Sequence, residues 1–303
     1  MSSNTNVAAV EAGGTKFICA LADERGQILE QTTFPTRAPA ETFDDMARFF
    51  RSAADVHGAP AIAGLASFGP IELDPGAASY GRIGGTPKPG WDGADIRGAL
   101  AAATGASVVL DTDVNAAALG ESLFGAAVGV RDFAYVTVGT GIGIGIVLDR
   151  AVRTVFPHTE MGHIRVPHAS GDDFAGVCPF HGDCLEGLAS GPAMRARWEQ
   201  GAEMLAADHP GWRFASHYIA TLCVNLTYGL RVERILLGGG VMSPAFLLPR
   251  IRADVARMLG GYALGARTSD LDSFIVAPKL VDPSPALVGA IAMAQGAVSR
   301  AGN

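Results

Sequence analysis

The chain has few charged residues for its size, and those it has are mostly negative. Of its 303 residues, 17% are Asp, Glu, Lys or Arg, and the formal net charge is -7. Nucleic-acid binding requires clustered Lys and Arg to neutralise phosphates, and the sequence contains no such stripe. The composition therefore argues against a nucleic-acid partner.

The chain also has no long hydrophobic run and no secretion signal at its start. The longest apolar stretch, residues 134–148, is interrupted by four glycines and is too short to cross a bilayer. Residues 1–6 are polar and lack the basic start and apolar core of a signal peptide. We therefore expect a soluble protein without a membrane partner, located in the reducing cytoplasm.

Cysteine is scarce, with four copies, and two of them belong to one short stretch. Cys178 and Cys184 enclose His181 in the stretch CPFHGDC, and His163 lies fifteen residues before Cys178. Two thiolates and two imidazoles form a tetrahedral set that suits zinc, and four protein ligands leave no position for a reactive water. We predict a structural zinc site here. A disulfide or two buried thiols are the alternatives, and a reducing cytosol favours the metal.

Hydrophobic residues make up 49% of the chain and glycine occurs 39 times, a composition typical of well-packed globular proteins. At this length two domains are expected. Strands and helices alternate in the order β-β-β-α-β-α-β-α, followed by a second β-β pair, which predicts an α/β fold built on a duplicated unit. Strands are predicted at 7–10, 16–22, 27–34, 61–67, 107–111, 133–138, 142–148, 235–237 and 274–277, and helices at 40–57, 92–104, 115–125, 186–200, 214–230, 244–259 and 284–300.

Two glycine-rich turns occupy equivalent places in the two halves, EAGGTK at 11–16 and VGTGIG at 138–143. Without Cβ atoms, successive backbone N–H groups can face the oxygens of an anion. Thr15 and Thr140 add hydroxyl donors, and Lys16 adds a cation. A plain hairpin turn is the alternative for each. The repetition favours binding of one nucleotide, although the chain has no GxxxxGK[ST] motif.

Between these turns lies DTDVNAAALGE, residues 111–121. Asp113 stands where a predicted strand meets a predicted helix, so it suits either of two roles. It could cap the helix N-terminus. It could also accept a proton from a sugar hydroxyl that attacks a phosphoryl group.

These motifs together resemble the ROK family of sugar kinases, which has the actin-like ATPase (ribonuclease H-like, duplicated) fold with two domains around a central cleft. The resemblance rests on EAGGTK, DTDVNAAALGE, VGTGIGIG, EMGHIRV, CPFHGDCLEGLASGP and LGGGVM, found in the family's order across nearly the whole chain. The segment YGRIGGTPKPGW and the CPFHGDC form of the loop resemble the bacterial fructokinase branch. The pattern of elements predicts a domain boundary near Asp113, which gives a first domain of 1–112, completed by a C-terminal helix at 284–303, and a larger domain of 113–283 with the zinc loop.

The resemblance also implies roles for individual residues. Asp113 would be the general base, and Glu160, His163 and Glu186 would lie against the sugar hydroxyls. His163 would hold zinc through one ring nitrogen and offer the other to the sugar. ATP and Mg²⁺ would be the cofactors, with the phosphates or nucleoside near Gly13, Gly14, Thr15, Lys16, Gly139, Thr140, Gly141, Gly143, Gly238, Gly239 and Gly240. A homodimer is the family's usual assembly.

Two departures from the family pattern concern substrate choice. Thr112 stands where many members have Asn, and His181 replaces one Cys of a three-Cys loop. Both fit the fructokinase branch, so we predict phosphorylation of fructose to fructose 6-phosphate, with glucose, mannose and N-acetylmannosamine as alternatives. For Trp91 and Pro87 in TPKPGW, a rigid turn packed on the core is the preferred interpretation, even if Lys88 reaches the cleft.

Two other classes of protein remain to be weighed. A sugar-responsive repressor of the same fold would need a DNA-binding module before the first glycine turn, and we expect none because that turn begins at Glu11. A catalytically silent sugar-binding regulator would not need Asp113 together with both glycine turns. The sequence therefore favours an enzyme.

Overall fold

The computed structural model describes residues 5–155, 157–262 and 269–301. These residues form two compact units: the first contains those up to Leu123, those of Thr154–His158 and those from Leu280 onward, and the second contains those within Phe124–Arg153 and Thr159–Lys279. Residues 1–4 and 302–303 of the predicted first domain lie outside the described residues. The division differs from the predicted boundary at residue 113, because the helix that starts there belongs to the first unit.

The first unit contains a five-stranded sheet with the order β3-β2-β1-β4-β5. β2 pairs antiparallel with β1 and β3, whereas β4 pairs parallel with β1 and β5. Its elements are β1 (Val7–Ala12), β2 (Lys16–Ala22), β3 (Ile28–Pro35), α1 (Pro39–His57), β4 (Ile62–Ser67), α2 (Ile96–Thr104), β5 (Ser107–Thr112), α3 (Asp113–Phe124) and α9 (Pro285–Ala301).

Burial of successive residues in β1, β2 and β4 indicates that helices cover both faces of this sheet. α9 contacts β1, β4 and β5, while α1 and α2 contact each other and the neighbouring strands. α9 approaches so closely that a Cβ atom on Gly64 of β4 would lie 1.9 Å from the carbonyl oxygen of Ala290. α9 also holds α3 in this unit, since a Cβ atom on Gly120 would lie 2.3 Å from the carbonyl oxygen of Pro285.

The second unit repeats the same strand topology. Its sheet has the order β10-β9-β6-β7-β8, with β7 antiparallel to β6 and β8, and β9 parallel to β6 and β10. The duplicated α/β fold predicted from the sequence is confirmed. Its elements are β6 (Phe133–Val138), β7 (Ile142–Leu148), β8 (Ala151–Val152), α4 (Leu185–Ala189), α5 (Gly191–Trp198), α6 (Gly211–Leu230), β9 (Arg234–Gly238), α7 (Leu247–Leu259), α8 (Leu271–Phe274) and β10 (Ile275–Val276).

Two predicted helices differ most from the structure. The predicted helix 186–200 is two helices, because Ser190 adopts an extended conformation and its side chain accepts the N–H of Ala193 to start α5. The predicted helix 92–104 begins later, at Ile96, because Asp95 caps it by accepting the N–H of Gly98. In the described part of the chain, no helix is both long and apolar enough to span a membrane.

Candidate functional site

One edge of the first unit's sheet gathers three segments that the sequence keeps far apart. Ala12 of β1 pairs with Ser67 of β4, and Ser67 pairs with Thr112 of β5, so these parallel strands end in register. Neighbouring strands lie about 4.8 Å apart. The glycine turn after β1 and Asp113 after β5 therefore start from the same edge, roughly 10 Å apart by strand spacing. Ligands of open α/β sheets bind at such carboxyl ends of strands.

The glycine turn of the first unit is held by hydrogen bonds at both ends. The N–H of Gly13 donates to the carbonyl oxygen of Lys16 at 2.9 Å. The Thr36 hydroxyl donates to the Gly13 carbonyl oxygen at 2.7 Å, and the Thr36 N–H donates to the Thr15 carbonyl oxygen at 2.9 Å. Lys16 begins β2 and is exposed, and a Cβ atom on Gly14 would meet no atom within 4 Å. The tip of the turn thus keeps open space beside its backbone.

Asp113 is the first residue of α3 and is half-buried. Its Oδ1 accepts the N–H of Val114 at 2.9 Å. The cap of the helix is Thr112 instead, whose hydroxyl accepts the N–H of Asn115 at 3.2 Å. The capping role considered for Asp113 is therefore wrong. A carboxylate in the first turn still interacts favourably with the helix dipole.

Sequence reasoning missed Asp111, a buried carboxylate two residues before Asp113. Its Oδ1 accepts the N–H of Thr112 and the Nδ2–H of Asn115, both at 2.7 Å, and its Oδ2 accepts the hydroxyl of Thr154 at 2.7 Å. Burial raises the pKa of Asp111, and the hydrogen bonds from Thr154 and Asn115 oppose that rise. Asp111 thus ties the end of β5 to the first turn of α3.

Glu11 is a second carboxylate that received no role from the sequence. It lies in β1 just before the glycine turn, and it accepts a hydrogen bond from the hydroxyl of Ser284. Burial raises the pKa of Glu11. The signal that could have revealed both residues is a carboxylate near the end of an otherwise apolar strand, VAAVEA for Glu11 and SVVLDT for Asp111.

The second unit brings two glycine turns together at the carboxyl ends of β6 and β9. Thr137 pairs with Gly238, and a Cβ atom on Gly139 would lie 4.0 Å from the backbone nitrogen of Gly240. Two of the predicted nucleotide residues lie in regular secondary structure. Gly143 lies inside β7, within the predicted strand 142–148, and pairs with Thr137. Gly240 starts a three-residue 3₁₀ helix, and the next α-helix begins only at Leu247.

The other residues of this unit that were predicted to bind the nucleotide lie in the glycine turns or directly beside them. Thr140 is exposed at the tip of the turn, and Gly239 follows the last residue of β9. Gly141 lies just before β7. The turn is closed by a hydrogen bond of 2.9 Å from the N–H of Gly139 to the carbonyl oxygen of Gly141.

The four predicted metal ligands come together in the second unit. One donor atom from each of His163, Cys178, His181 and Cys184 lies within 4.8 Å of the others. The sulfur of Cys178 lies 3.6 Å from the Nδ1 atoms of His163 and His181, and the sulfur of Cys184 lies 3.5 Å from Nδ1 of His163. All four cysteines of the chain are free thiols, so the alternative disulfide is not formed.

This geometry fits zinc. Bonds of about 2.3 Å to sulfur and about 2.0 Å to nitrogen at a tetrahedral angle separate the two donor atoms by about 3.5 Å. The nitrogen–sulfur distances in the cluster have this length. Burial raises the pKa of the Cys184 thiol to about 11, so a metal that binds there has to displace its proton.

The metal cluster lies next to residues that were predicted to bind the sugar. Cys184 caps α4 by accepting the N–H of Gly187, which places Glu186 in the first turn of that helix. Oε2 of Glu186 accepts the N–H of Ile142 at 2.8 Å, while Oε1 lies 3.9 Å from Nε2 of His163. A Cβ atom on Gly141 would lie 2.7 Å from Oε2, so a side chain at this position would displace the Glu186 carboxylate.

His163 presents its two ring nitrogens to different neighbours. Nδ1 faces the sulfurs, and Nε2 lies on the side of Glu186. A metal on Nδ1 would leave the proton on Nε2, where it can be donated. Glu160 is exposed directly before the 3₁₀ helix Met161–His163, and its carbonyl oxygen accepts the N–H of His163.

Two α/β units of one topology, each with a glycine turn at the carboxyl end of its sheet, define the class of the actin-like ATPases. The chain belongs to the ROK family, whose profile matches residues 7–297. It is 40% identical over 293 residues to the fructokinase of Pediococcus pentosaceus, which covers 97% of this chain and 99% of that protein. It is also 40% identical over 295 residues to the fructokinase of Zymomonas mobilis subsp. mobilis, covering 96% and 97%. A ROK hexokinase structure from Thermus thermophilus superposes with a TM-score of 0.75 at 26% identity, covering 98% of this chain and all of that one.

The metal cluster can be tested by replacing one ligand. We expect Cys178→Ser to reduce zinc from about one equivalent per chain to a small fraction, because three ligands hold zinc more weakly than four. Inductively coupled plasma mass spectrometry after dialysis against a chelator measures the metal. Cys223→Ser is the control, since Cys223 is also a buried thiol, in α6, and lies outside the cluster. Equal zinc in both variants would contradict the site.

The role of Asp111 can be tested through stability. We expect Asp111→Ala to lower the free energy of unfolding by about 1–3 kcal/mol, because the buried Nδ2–H of Asn115 and the N–H of Thr112 lose their acceptor. Asp111→Asn keeps an oxygen for these donors and should cost less. Denaturant unfolding followed by circular dichroism measures both variants. Two variants as stable as the unmutated protein would show that the network does not stabilise this junction.

Proposed function

We propose that this chain is an ATP-dependent hexose kinase that converts fructose to fructose 6-phosphate. Membership of the ROK family and 40% identity to two fructokinases over nearly the full chain support this activity. The structural observation that carries it is the register of β1, β4 and β5, which starts the glycine turn and Asp113 from one edge of the sheet.

In the proposed mechanism, Asp113 accepts the proton of the sugar hydroxyl at carbon 6. The hydroxyl oxygen forms a bond to the terminal phosphorus of ATP while the bond from that phosphorus to the bridging oxygen breaks, and ADP leaves. The backbone N–H groups of the two glycine turns would hold the phosphates. Mg²⁺, when bound to ATP, supplies charge neutralisation to the terminal phosphates.

The sugar would be positioned by the metal-linked residues of the second unit. We propose that Nε2–H of His163 and the carboxylates of Glu160 and Glu186 contact its hydroxyls. Zinc would orient the imidazole of His163 without taking part in phosphoryl transfer, because protein side chains fill all four of its positions. The homodimer and the cytoplasmic location expected from the sequence stay predictions.

A coupled assay of ADP production across fructose, glucose, mannose and N-acetylmannosamine, with ATP and Mg²⁺, tests the activity. We expect the highest kcat/KM for fructose. A hexose whose hydroxyls are arranged differently would leave polar groups of a fructose site without hydrogen bonds, which lowers kcat/KM strongly. A higher kcat/KM for another hexose would change the substrate. Activity with none of them would defeat the kinase function.

The role of Asp113 can be tested separately. We expect Asp113→Asn to lower kcat by at least about 10²-fold, because the amide cannot accept the hydroxyl proton. Fructose affinity, measured by calorimetry, should stay close to that of the unmutated protein. Asp55→Asn is the matched control, since Asp55 is an exposed carboxylate of α1. Near-normal kcat in Asp113→Asn would exclude this residue as the base.

A further inference from the structure

The loop between β4 and α2 returns to the glycine turn of the first unit. Lys88, in this loop, donates from its Nζ to the carbonyl oxygen of Gly14 at 2.6 Å. Sequence reasoning gave the cation of this turn to Lys16, which is exposed at the start of β2. In the structure, the cation that is hydrogen-bonded to this turn is the half-buried ammonium of Lys88.

The loop that carries Lys88 is anchored by Trp91. The indole is fully buried and packs against the rings of Phe17, Phe43 and Phe68. Its Nε1–H donates to the carbonyl oxygen of Arg37 at 2.9 Å. A large buried aromatic with a satisfied N–H holds its backbone in place. The packed Trp91 therefore positions Lys88, three residues earlier, rather than serving only the core.

Two further hydrogen bonds shape the loop around Lys88. The N–H of Gly85 donates to Oδ1 of Asp92 at 2.8 Å, which closes the loop across its base. The N–H of Lys88 itself donates to the hydroxyl of Thr86 at 3.3 Å. Since the backbone is already ordered, little conformational freedom remains to be lost when the ammonium binds a ligand.

The ammonium has bonding capacity beyond Gly14. Among the residues that the structure describes, Lys88 forms no ion pair with a carboxylate. A lysine ammonium has three N–H donors, and the Gly14 carbonyl oxygen accepts one of them. A half-buried cation without a countercharge, on a turn whose tip lies open, is suited to bind an anion.

We propose that Lys88 contacts the terminal phosphoryl group of ATP and stabilises its negative charge during transfer to the sugar. This inference rests on the proposed kinase function, and it adds a catalytic residue to it. Lys88 stays protonated throughout, because the hydroxyl proton passes to Asp113. A positioned cation at the transferred group lowers the barrier, because charge shifts over the phosphoryl oxygens in the transition state.

The alternative role for Lys88 is purely structural, as a brace on the Gly14 carbonyl. Two variants separate these roles. Lys88→Met removes both the charge and the hydrogen bond, whereas Lys88→Gln removes the charge and keeps an N–H donor. If charge matters, kcat should fall by about 10²-fold in both variants. If only the hydrogen bond to the Gly14 carbonyl oxygen matters, the kcat of Lys88→Gln should stay within about threefold of that of the unmutated protein. That result would overturn the proposal.

Nucleotide affinity provides a second measurement. A purely structural role of Lys88 would not weaken binding of an ATP analogue more than binding of ADP. Calorimetry with Mg²⁺ compares a non-hydrolysable ATP analogue with ADP, which lacks the terminal phosphate. We expect the Lys88 variants to weaken binding of the analogue by a larger factor than binding of ADP. Equal weakening of the two nucleotides, or none, would overturn the proposal. Unchanged fructose affinity verifies that the variants are folded.

Arg51→Met is the control for loss of a positive charge in the same unit. Arg51 is exposed in α1, and within the described residues it forms no ion pair. We expect this variant to keep kcat and both nucleotide affinities. If unmutated protein and Arg51→Met phosphorylate no hexose, the proposed function fails, while the comparison of analogue with ADP still decides the role of Lys88. If they are active and the Lys88 variants match them, only the inference about Lys88 fails.

Discussion

Parallel pairing of β1, β4 and β5 in one register is the constraint on which the chemistry of the first unit depends. Because all three strands end at the same level, whatever follows them meets at one edge of the sheet. The residues that follow are a glycine turn after β1 and Asp113 after β5. The network of Asp111 with Thr112, Asn115 and Thr154 then holds the start of α3. A shift of one residue in the pairing of β4 with β5 would turn the side chains of β5 toward the opposite face and displace the start of α3.

In the second unit a short helix links the metal cluster to a glycine turn. Cys184 is both a predicted metal ligand and the cap of α4, so Glu186 in the first turn of that helix depends on the loop that Cys178 and Cys184 enclose. Glu186 in turn accepts the N–H of Ile142, directly after the glycine turn. A structural metal at the cluster would therefore stabilise the residues predicted to bind the sugar and the turn together.

Features of the structure could be predicted from the sequence when they depend on residues that lie close together along the chain. Most strands were found because apolar runs bounded by glycine are local signals. The four predicted metal ligands, whose donor atoms the structure brings together, could be selected from the sequence because three of them share one loop. The break between α4 and α5 was missed, since it depends on an extended Ser190 inside a helical pattern. The cap at Thr112 was missed because Asp113 is an equally good capping residue in sequence terms.

Local periodicity, motif order and ligand type were enough to predict the duplicated α/β topology, the family and a candidate set of metal ligands. Tertiary packing, by contrast, sets the partners of the charged residues Lys88 and Asp111. Seventy-four residues separate Lys88 from Gly14, and forty-three separate Asp111 from Thr154. Contacts over such separations depend on how sheets and loops pack. The buried Trp91, for example, fixes the loop in which Lys88 contacts the glycine turn. No local pattern of residue types encodes that packing.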